Sequence, residues 1–446
     1  MPELDELESR LEGLTEADFR RGLGVFRSKL KEAEASYLNS CVHCGLCASS
    51  CHYYRMDPTL ENIPARKLEL VASVFKRNFT TMGRVAPGLV GAKALDKDMA
   101  RAWVDAVFGR CSLCGRCSIN CTVGIALPRI FRAARAALGA MGLVPPDLQA
   151  TVDSALAHGN NMAMTREDWV ETVQWIEEEL QMETGDPQAK LPLDKQGAKV
   201  LFTVNPREPK FFPLSLQASA KVFWAAREDW TLASDTGWDL TNYGMFNCDD
   251  QQAGTLTQNL VDAMARLGCK TLVIGECGHG YGAARWEGPE WLGKSYPFEV
   301  KSILELMDEY VRDGRIHLDP SKNAASVTLH DPCNLVRHGG ICEAQRRVLK
   351  RAVTTFIEMT PNREHNFCCG GGGGQLAMAR YKGRRIQAGG MKAEQIRKSG
   401  AKVVVAPCHN CIDQLMELNK EFKLNVQIKT VAEMVAEALI PNPQAS

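Results

Sequence analysis

A chain of 446 residues, 45% of them hydrophobic, can bury large cores and has room for about three domains. Lys plus Arg and Asp plus Glu both number 53, which excludes the positive field that sequence-independent nucleic-acid binding requires, so no nucleic acid is expected as a partner. The longest weakly polar stretch, Val85 to Leu95, contains Pro87 and Lys93 and is far shorter than the ~20 apolar residues of a bilayer-spanning helix.

The opening MPELDELESRLEGL is acidic and amphipathic, where a secretory signal has a basic start and an apolar run, so the chain is expected to stay in the reducing cytosol. Leu4 to Tyr37 reads as one or two helices with Leu7, Leu11, Leu14, Phe19, Leu23, Phe26 and Leu30 near helical spacing, either as packing helices or as a docking surface for a partner subunit. Two cysteine runs follow between Cys41 and Leu143, separated by helical sequence and closed by Pro145 and Pro146. Asp147 to Gln181 continues as helix, and Met182 to Gly197, rich in Gly, Pro and charge, reads as a linker.

From Lys199 one pattern runs twice. KVLFTVNP corresponds to SVTLHDPC, MFNCDD to NFCCGG, and KTLVIGECGHG to KVVVAPCHNC. FEVKSILELMDEYV and VQIKTVAEMVAEAL close the two copies, each as a strand feeding an amphipathic helix. The expected fold class is therefore α plus α/β. It comprises an N-terminal helical segment (1–37), an α-helical ferredoxin-like domain (38–146), a helical linker (147–197) and two tandem α/β repeats (198–320 and 321–446).

Seventeen cysteines in a cytosolic chain point to metal ligation rather than disulfides. Cys41, Cys44, Cys47 and Cys51 form C-x2-C-x2-C-x3-C, and Cys111, Cys114, Cys117 and Cys121 repeat it without deviation. Three thiolates so spaced wrap one face of a [4Fe-4S] cubane, and the fourth crosses to its neighbour. The expected sets are Cys41, Cys44, Cys47 and Cys121 for one cubane, and Cys111, Cys114, Cys117 and Cys51 for the other. His52 and Thr122 stand where such runs usually carry proline. Paired zinc knuckles would leave the repeated four-cysteine run unexplained.

The second constellation is Cys333, the adjacent Cys368 and Cys369, and the C-x2-C of Cys408 and Cys411. It resembles the CCG domain of heterodisulfide-reductase-like iron-sulfur proteins, and the likeness covers nearly the whole chain. The resemblance implies that these five cysteines hold a third, non-cubane [4Fe-4S] cluster. Cys333 and Cys408 each follow a predicted strand, which lets their thiolates converge at a sheet edge, and five anionic ligands on one site require a polynuclear metal centre. The glycines from Gly370 to Gly374 allow backbone N–H groups to approach sulfide and do not end in the Gly-Lys-Ser/Thr of a phosphate loop.

In the first repeat the corresponding positions are Arg207, Asn247, Cys248, Cys277 and Gly280, too few thiols for a second five-cysteine cluster. Cys248, Cys277 and His279 are candidates to line a cofactor or substrate pocket facing the intact copy, the alternative being an inert relic. Cys269 and Cys342 read as free core thiols. GHGYG at Gly278 to Gly282 does not complete a dinucleotide-binding loop.

The ferredoxin pair, the degenerate copy with ECGHG and the intact copy look most like the cytoplasmic subunit of membrane redox complexes of the Hmc, Tmc and Dsr types. That resemblance implies peripheral attachment to the inner face of the membrane and partnership with an integral cytochrome b-type subunit and other redox subunits. Electrons would pass through two cubanes to the CCG-bound cluster, where a disulfide-type or thiol-protein substrate would react. Two other readings stay open: the iron-sulfur subunit of a glycolate, lactate or glycerol-phosphate dehydrogenase, and a pure electron-transfer adaptor with no substrate of its own.

Overall fold

In the computed structural model, which describes residues 2–441 and only the backbone of residues 2–5, the chain forms two units from interleaved segments. The first holds the residues up to Ala150 together with Tyr243–Asp249 and Glu364–Lys392; the second holds Thr151–Asn242, Asp250–Arg363 and the chain from Ala393. Met1 and residues 442–446, at the ends of the first and last expected domains, lie outside the described residues.

The first unit is helical. Thr15 starts the helix Glu16–Lys29 through a reciprocal cap with Asp18, satisfying two backbone donors that the first turn leaves open. Leu7, Leu11, Phe26 and Leu30 are buried and Leu14, Phe19 and Leu23 half-buried, so the N-terminal helices spend their apolar faces on packing. A Cβ at Gly22 would lie 2.8 Å from Met141 Sδ and 3.2 Å from the Ala137 carbonyl oxygen. Its absence lets Glu16–Lys29 lie close against Leu127–Ala140, the helix that backs the second cysteine run.

The second unit is built on two parallel sheets. The strands of the first are β1 (Val200–Thr203), β2 (Trp230–Thr231), β3 (Thr271–Ile274) and β4 (Glu299–Ser302), in the order β2-β1-β3-β4. After the short β5 (His317–Leu318), the second sheet uses β6 (Val327–Leu329), β7 (Phe356–Ile357), β8 (Val403–Val405) and β9 (Gln427–Lys429), in the order β7-β6-β8-β9. The terminal β10 (Leu439–Ile440) pairs antiparallel with β5. Central strands β1, β3, β6 and β8 are wholly buried, as apolar runs covered on both sheet faces must be. One apolar core runs through both sheets and includes Phe202, Phe223, Leu272, Met307, Leu349 and Val405.

The expected mixture of helices and parallel sheet is therefore present, and the two sheets share one strand order. Six of the eight parallel strands lie in the stretches read as strands from their apolar runs; β2 and β7, of two residues each, are too short to show a period. In each sheet the order reverses between the first strand and the third. That places a switch point at the C-terminal ends of β1 and β3, and another at those of β6 and β8, the position where open α/β sheets present their ligands.

Candidate metal centres

The two ferredoxin-type runs of the first unit adopt the same backbone. His43 and Leu113 take left-handed φ values of 54° and 52°, and Gly45 and Gly115 follow at 81° and 76°. A non-glycine residue at such a φ is strained, and its recurrence at matching positions marks loops held to one shape. The turn aims backbone donors inward: the Leu113 N–H donates to Cys111 Sγ at 3.4 Å.

The eight thiols gather in two groups. Cys41, Cys44, Cys47 and Cys121 line one cavity, and Cys51, Cys111, Cys114 and Cys117 line another, so the fourth cysteine of each run sits with the first three of its partner. Burial raises the thiols of Cys51 and Cys111 and, most strongly, Cys117, and neighbouring thiolates push Cys117 further up. Four adjacent thiols of this kind ionise together only when metal cations replace their protons, so the donor set fits a polynuclear iron-sulfur group. The two sites differ in cover. Cys44 is exposed and shares its cavity with exposed Val42 (66%) and Val123 (42%), whereas the second group adjoins buried His52, Tyr53, Lys67 and Ser112.

The adjacent pair Cys368 and Cys369, both buried, lies in the first unit beside the second run. Arg116, between Gly115 and Cys117, donates to the carbonyls of Ser50 and His365 at 2.8 Å each, and its guanidinium stacks on Phe367 at 3.8 Å from the ring centre. Gly370 N–H donates to Cys368 Sγ at 3.3 Å. Gly370, Gly373 and Gly374 have φ values of 103°, 64° and 83°, a path closed to other residues without strain. Arg135, fully buried, donates to the carbonyls of Val107, Cys111, Phe246 and Gly373, the last three at 3.0, 2.9 and 2.8 Å, and it stacks over Phe108. One guanidinium thereby ties the second ferredoxin run to Tyr243–Asp249 and to Glu364–Lys392, the two later segments that belong to this unit.

Cys333, Cys408 and Cys411 are buried in the second unit, with Cys333 and Cys408 just beyond the C-terminal ends of β6 and β8. Asp331 anchors the Cys333 turn: its carboxylate takes both Arg346 Nη groups at 2.8 and 2.6 Å and the Arg363 N–H at 2.6 Å, while Arg346 also pairs with Glu358 at 2.9 Å. Asp331→Ala would leave the buried guanidinium half-paired and is expected to cost about 3–5 kcal/mol in urea unfolding. A loss under about 1 kcal/mol would show that the network does not hold the turn.

Cys277 and His279, beyond β3, lie beside Cys408 within this unit. The thiols of Cys277 and Cys411 both hydrogen-bond to Cys408 and pull its ionisation well below that of an ordinary thiol, while burial drives Cys277 up. His279 Nδ1 lies 3.1 Å from Cys277 Sγ, and burial lowers His279 to about 4, which keeps the imidazole neutral near pH 7. A Cβ at Gly278 would lie 2.6 Å from the Leu335 nitrogen, so a residue without a side chain is required where this turn presses on the chain that follows Cys333. Cys248 does not share this placement: it belongs to the first unit, buried at a φ of 65° with its Sγ 3.5 Å from the Met245 carbonyl oxygen. Cys269 and Cys342 are half-buried; the Cys342 Sγ lies 3.7 Å from the Val336 carbonyl oxygen.

Glu276 precedes Cys277 and accepts the Val431 and Ala432 N–H groups at 2.9 and 2.6 Å, capping the final helix Val431–Ala438. Burial outweighs these bonds and raises its carboxyl from 4.5 to about 8. The folded chain thus retains a proton that the unfolded chain releases, so stability should fall as pH rises from about 5 to about 8 and level off above that. The slope from this group is at most about 1.4 kcal/mol per pH unit. Urea unfolding across that range should show the slope, and Glu276→Gln should flatten it; an unchanged slope in the variant would assign the effect to another group.

Sequence reasoning did not single out Ser112, Arg116, Arg135 or Asp331. The one available signal was a charge at Arg135 within the small and apolar run of LPRIFRAARAALGA. Among the described residues no helix is long and apolar enough to cross a membrane.

Two family models match the chain. Residues 37–125 match the 4Fe-4S dicluster domain and residues 327–416 the cysteine-rich CCG domain. The chain is 27% identical to the Hdr-like menaquinol oxidoreductase iron-sulfur subunit of Archaeoglobus profundus, over 94% of this chain and 82% of that protein. It is 25% identical to a subunit of the dihydromethanophenazine:CoB–CoM heterodisulfide reductase of Methanosarcina barkeri, over 94% of this chain and 98% of that protein. With the EtfAB:quinone oxidoreductase of Syntrophomonas wolfei it shares 24% identity over 90% of this chain and 58% of that one. The chain therefore carries a 4Fe-4S dicluster domain and a CCG domain, and along more than nine-tenths of its length it is similar to heterodisulfide-reductase-like iron-sulfur subunits.

Proposed function

We propose that this chain is the iron-sulfur electron-transfer subunit of a membrane-associated oxidoreductase, holding two cubanes and one CCG-bound cluster. Cys41, Cys44, Cys47 and Cys121 would bind the first cubane, and Cys111, Cys114, Cys117 and Cys51 the second. Cys333, Cys368, Cys369, Cys408 and Cys411 would bind the third cluster, and all five fall inside the stretch that matches the CCG domain. Bound iron-sulfur clusters supply one-electron relay chemistry. The observation that carries the reading is the order of the thiols in the first unit: an exposed group at Cys44, a covered group at Cys111, then Cys368 with its Sγ 3.6 Å from Ser112 Oγ.

The exposed, apolar-rimmed first site suits exchange with a redox partner, for which a membrane subunit of cytochrome b type is the proposed identity, with attachment at the inner membrane face through it. Residues 198–320 and 321–446 are read as a degenerate and an intact CCG repeat, supported by the shared strand order of the two sheets. Cys277, hydrogen-bonded to Cys408 and held by neutral His279, supports substrate chemistry at that site. The proposed substrate class is a disulfide, whose reduction takes up two electrons from a quinol or cytochrome partner and two protons and releases two thiols.

Anaerobic purification with iron, sulfide and EPR analysis tests this directly. About twelve iron atoms and three distinct centres per chain are expected. Colourless protein, or protein carrying zinc, would overturn the reading.

A further inference from the structure

We propose that Ser112 couples the second cubane to the CCG centre and sets the potential of that centre by donating a hydrogen bond to Cys368. This rests on Cys111 and Cys368 being cluster ligands as argued above, but it goes beyond that assignment to a residue that binds no metal.

Ser112 is buried, follows Cys111 directly, and places its Oγ 3.6 Å from Cys368 Sγ and 3.4 Å from His52 Nε2. A hydroxyl has one proton, and a metal-bound thiolate accepts but cannot donate. The serine proton therefore goes to the sulfur, and His52 Nε2 must carry the proton that satisfies the serine oxygen. Proline, usual at the position of His52 in ferredoxin runs, has no group with which to hold the hydroxyl in this orientation.

The opposing backbone is shaped to admit the serine. A Cβ at Gly373 would lie 2.6 Å from the Ser112 carbonyl carbon and oxygen, and Gly373 has a φ of 64°, so both contact and conformation call for glycine. Arg135 pins the two segments by donating to the Gly373 and Cys111 carbonyls at 2.8 and 3.0 Å. With the Gly370 N–H also on Cys368 Sγ, that sulfur takes two donors, one of them from the cubane-binding loop itself. The path from Cys111 to Cys368 is then a stretch of covalent backbone, one serine side chain and one hydrogen bond.

Hydrogen bonds to a ligand sulfur favour the more electron-rich state of its cluster and raise its potential. The test is Ser112→Ala in the full chain purified anaerobically, read by EPR redox titration and by ENDOR in H2O and D2O. The CCG centre should titrate at lower potential, its electron-sharing equilibrium with the cubanes falling roughly three- to tenfold. The cubane midpoints should stay in place, and an exchangeable proton coupled to the CCG centre should disappear. An unmoved CCG midpoint, or an equal shift of all three centres, would overturn the role of Ser112. If the unsubstituted protein shows two cubanes and no third centre, the ligand assignment itself has failed; that outcome is distinct because it precedes any substitution.

Discussion

Replacing Cys408 with alanine is expected to lower the iron content from about twelve to about eight atoms per chain while leaving two cubane centres intact. Cys408 lies at the switch point of the second sheet, beyond β8, where it receives hydrogen bonds from Cys277 and Cys411. Those hydrogen bonds hold its ionisation well below that of an ordinary thiol, which suits it to metal ligation. The apolar core beneath is untouched by removing one sulfur, so the chain should remain folded and the loss should be confined to one centre. Iron analysis and EPR of the variant decide the matter. Retention of all the iron would remove Cys408 from the ligand set, and loss of every centre would mean that the fold rather than one site had failed.

Arg135→Met should be the most destabilising single change in the first unit. It removes the guanidinium donor from the carbonyls of Val107, Cys111, Phe246 and Gly373, of which Cys111 keeps a bond from Gln375 Nε2 at 3.4 Å, at about 1–3 kcal/mol for each one that finds no other partner. A combined cost of about 4 kcal/mol or more is expected, measured by denaturant unfolding of the anaerobic protein. The same change removes a positive charge from the neighbourhood of Cys111, so the second cubane should also titrate at lower potential. Arg135→Lys keeps the charge but not the fork of donors, and should retain more of the potential than of the stability. Should both variants unfold like the unsubstituted chain, Arg135 would be a spectator.

The metal chemistry was legible because thiol ligands to a cubane must recur at short fixed spacings, and Cys41–Cys51 and Cys111–Cys121 do so without the rest of the chain. The crossed grouping of Cys121 and Cys51 was likewise readable, since the fourth cysteine of each run cannot reach the cluster of the first three. The parallel strands β1, β3, β6 and β8 announced themselves as apolar runs stopped by proline or glycine, but the two-residue β2 and β7 carry no period.

Composition and spacing thus determined by themselves that this is an iron-sulfur chain with mixed helices and parallel sheets. Only the tertiary structure decided which ordinary residues surround the sulfurs. Ser112 beside Cys368 spans 256 positions of sequence, and Arg135 beneath Gly373 spans 238. Covalent ligand geometry is local and leaves a written pattern, whereas a hydrogen bond or a buried charge needs only proximity in space, which folding creates between segments that share no pattern at all.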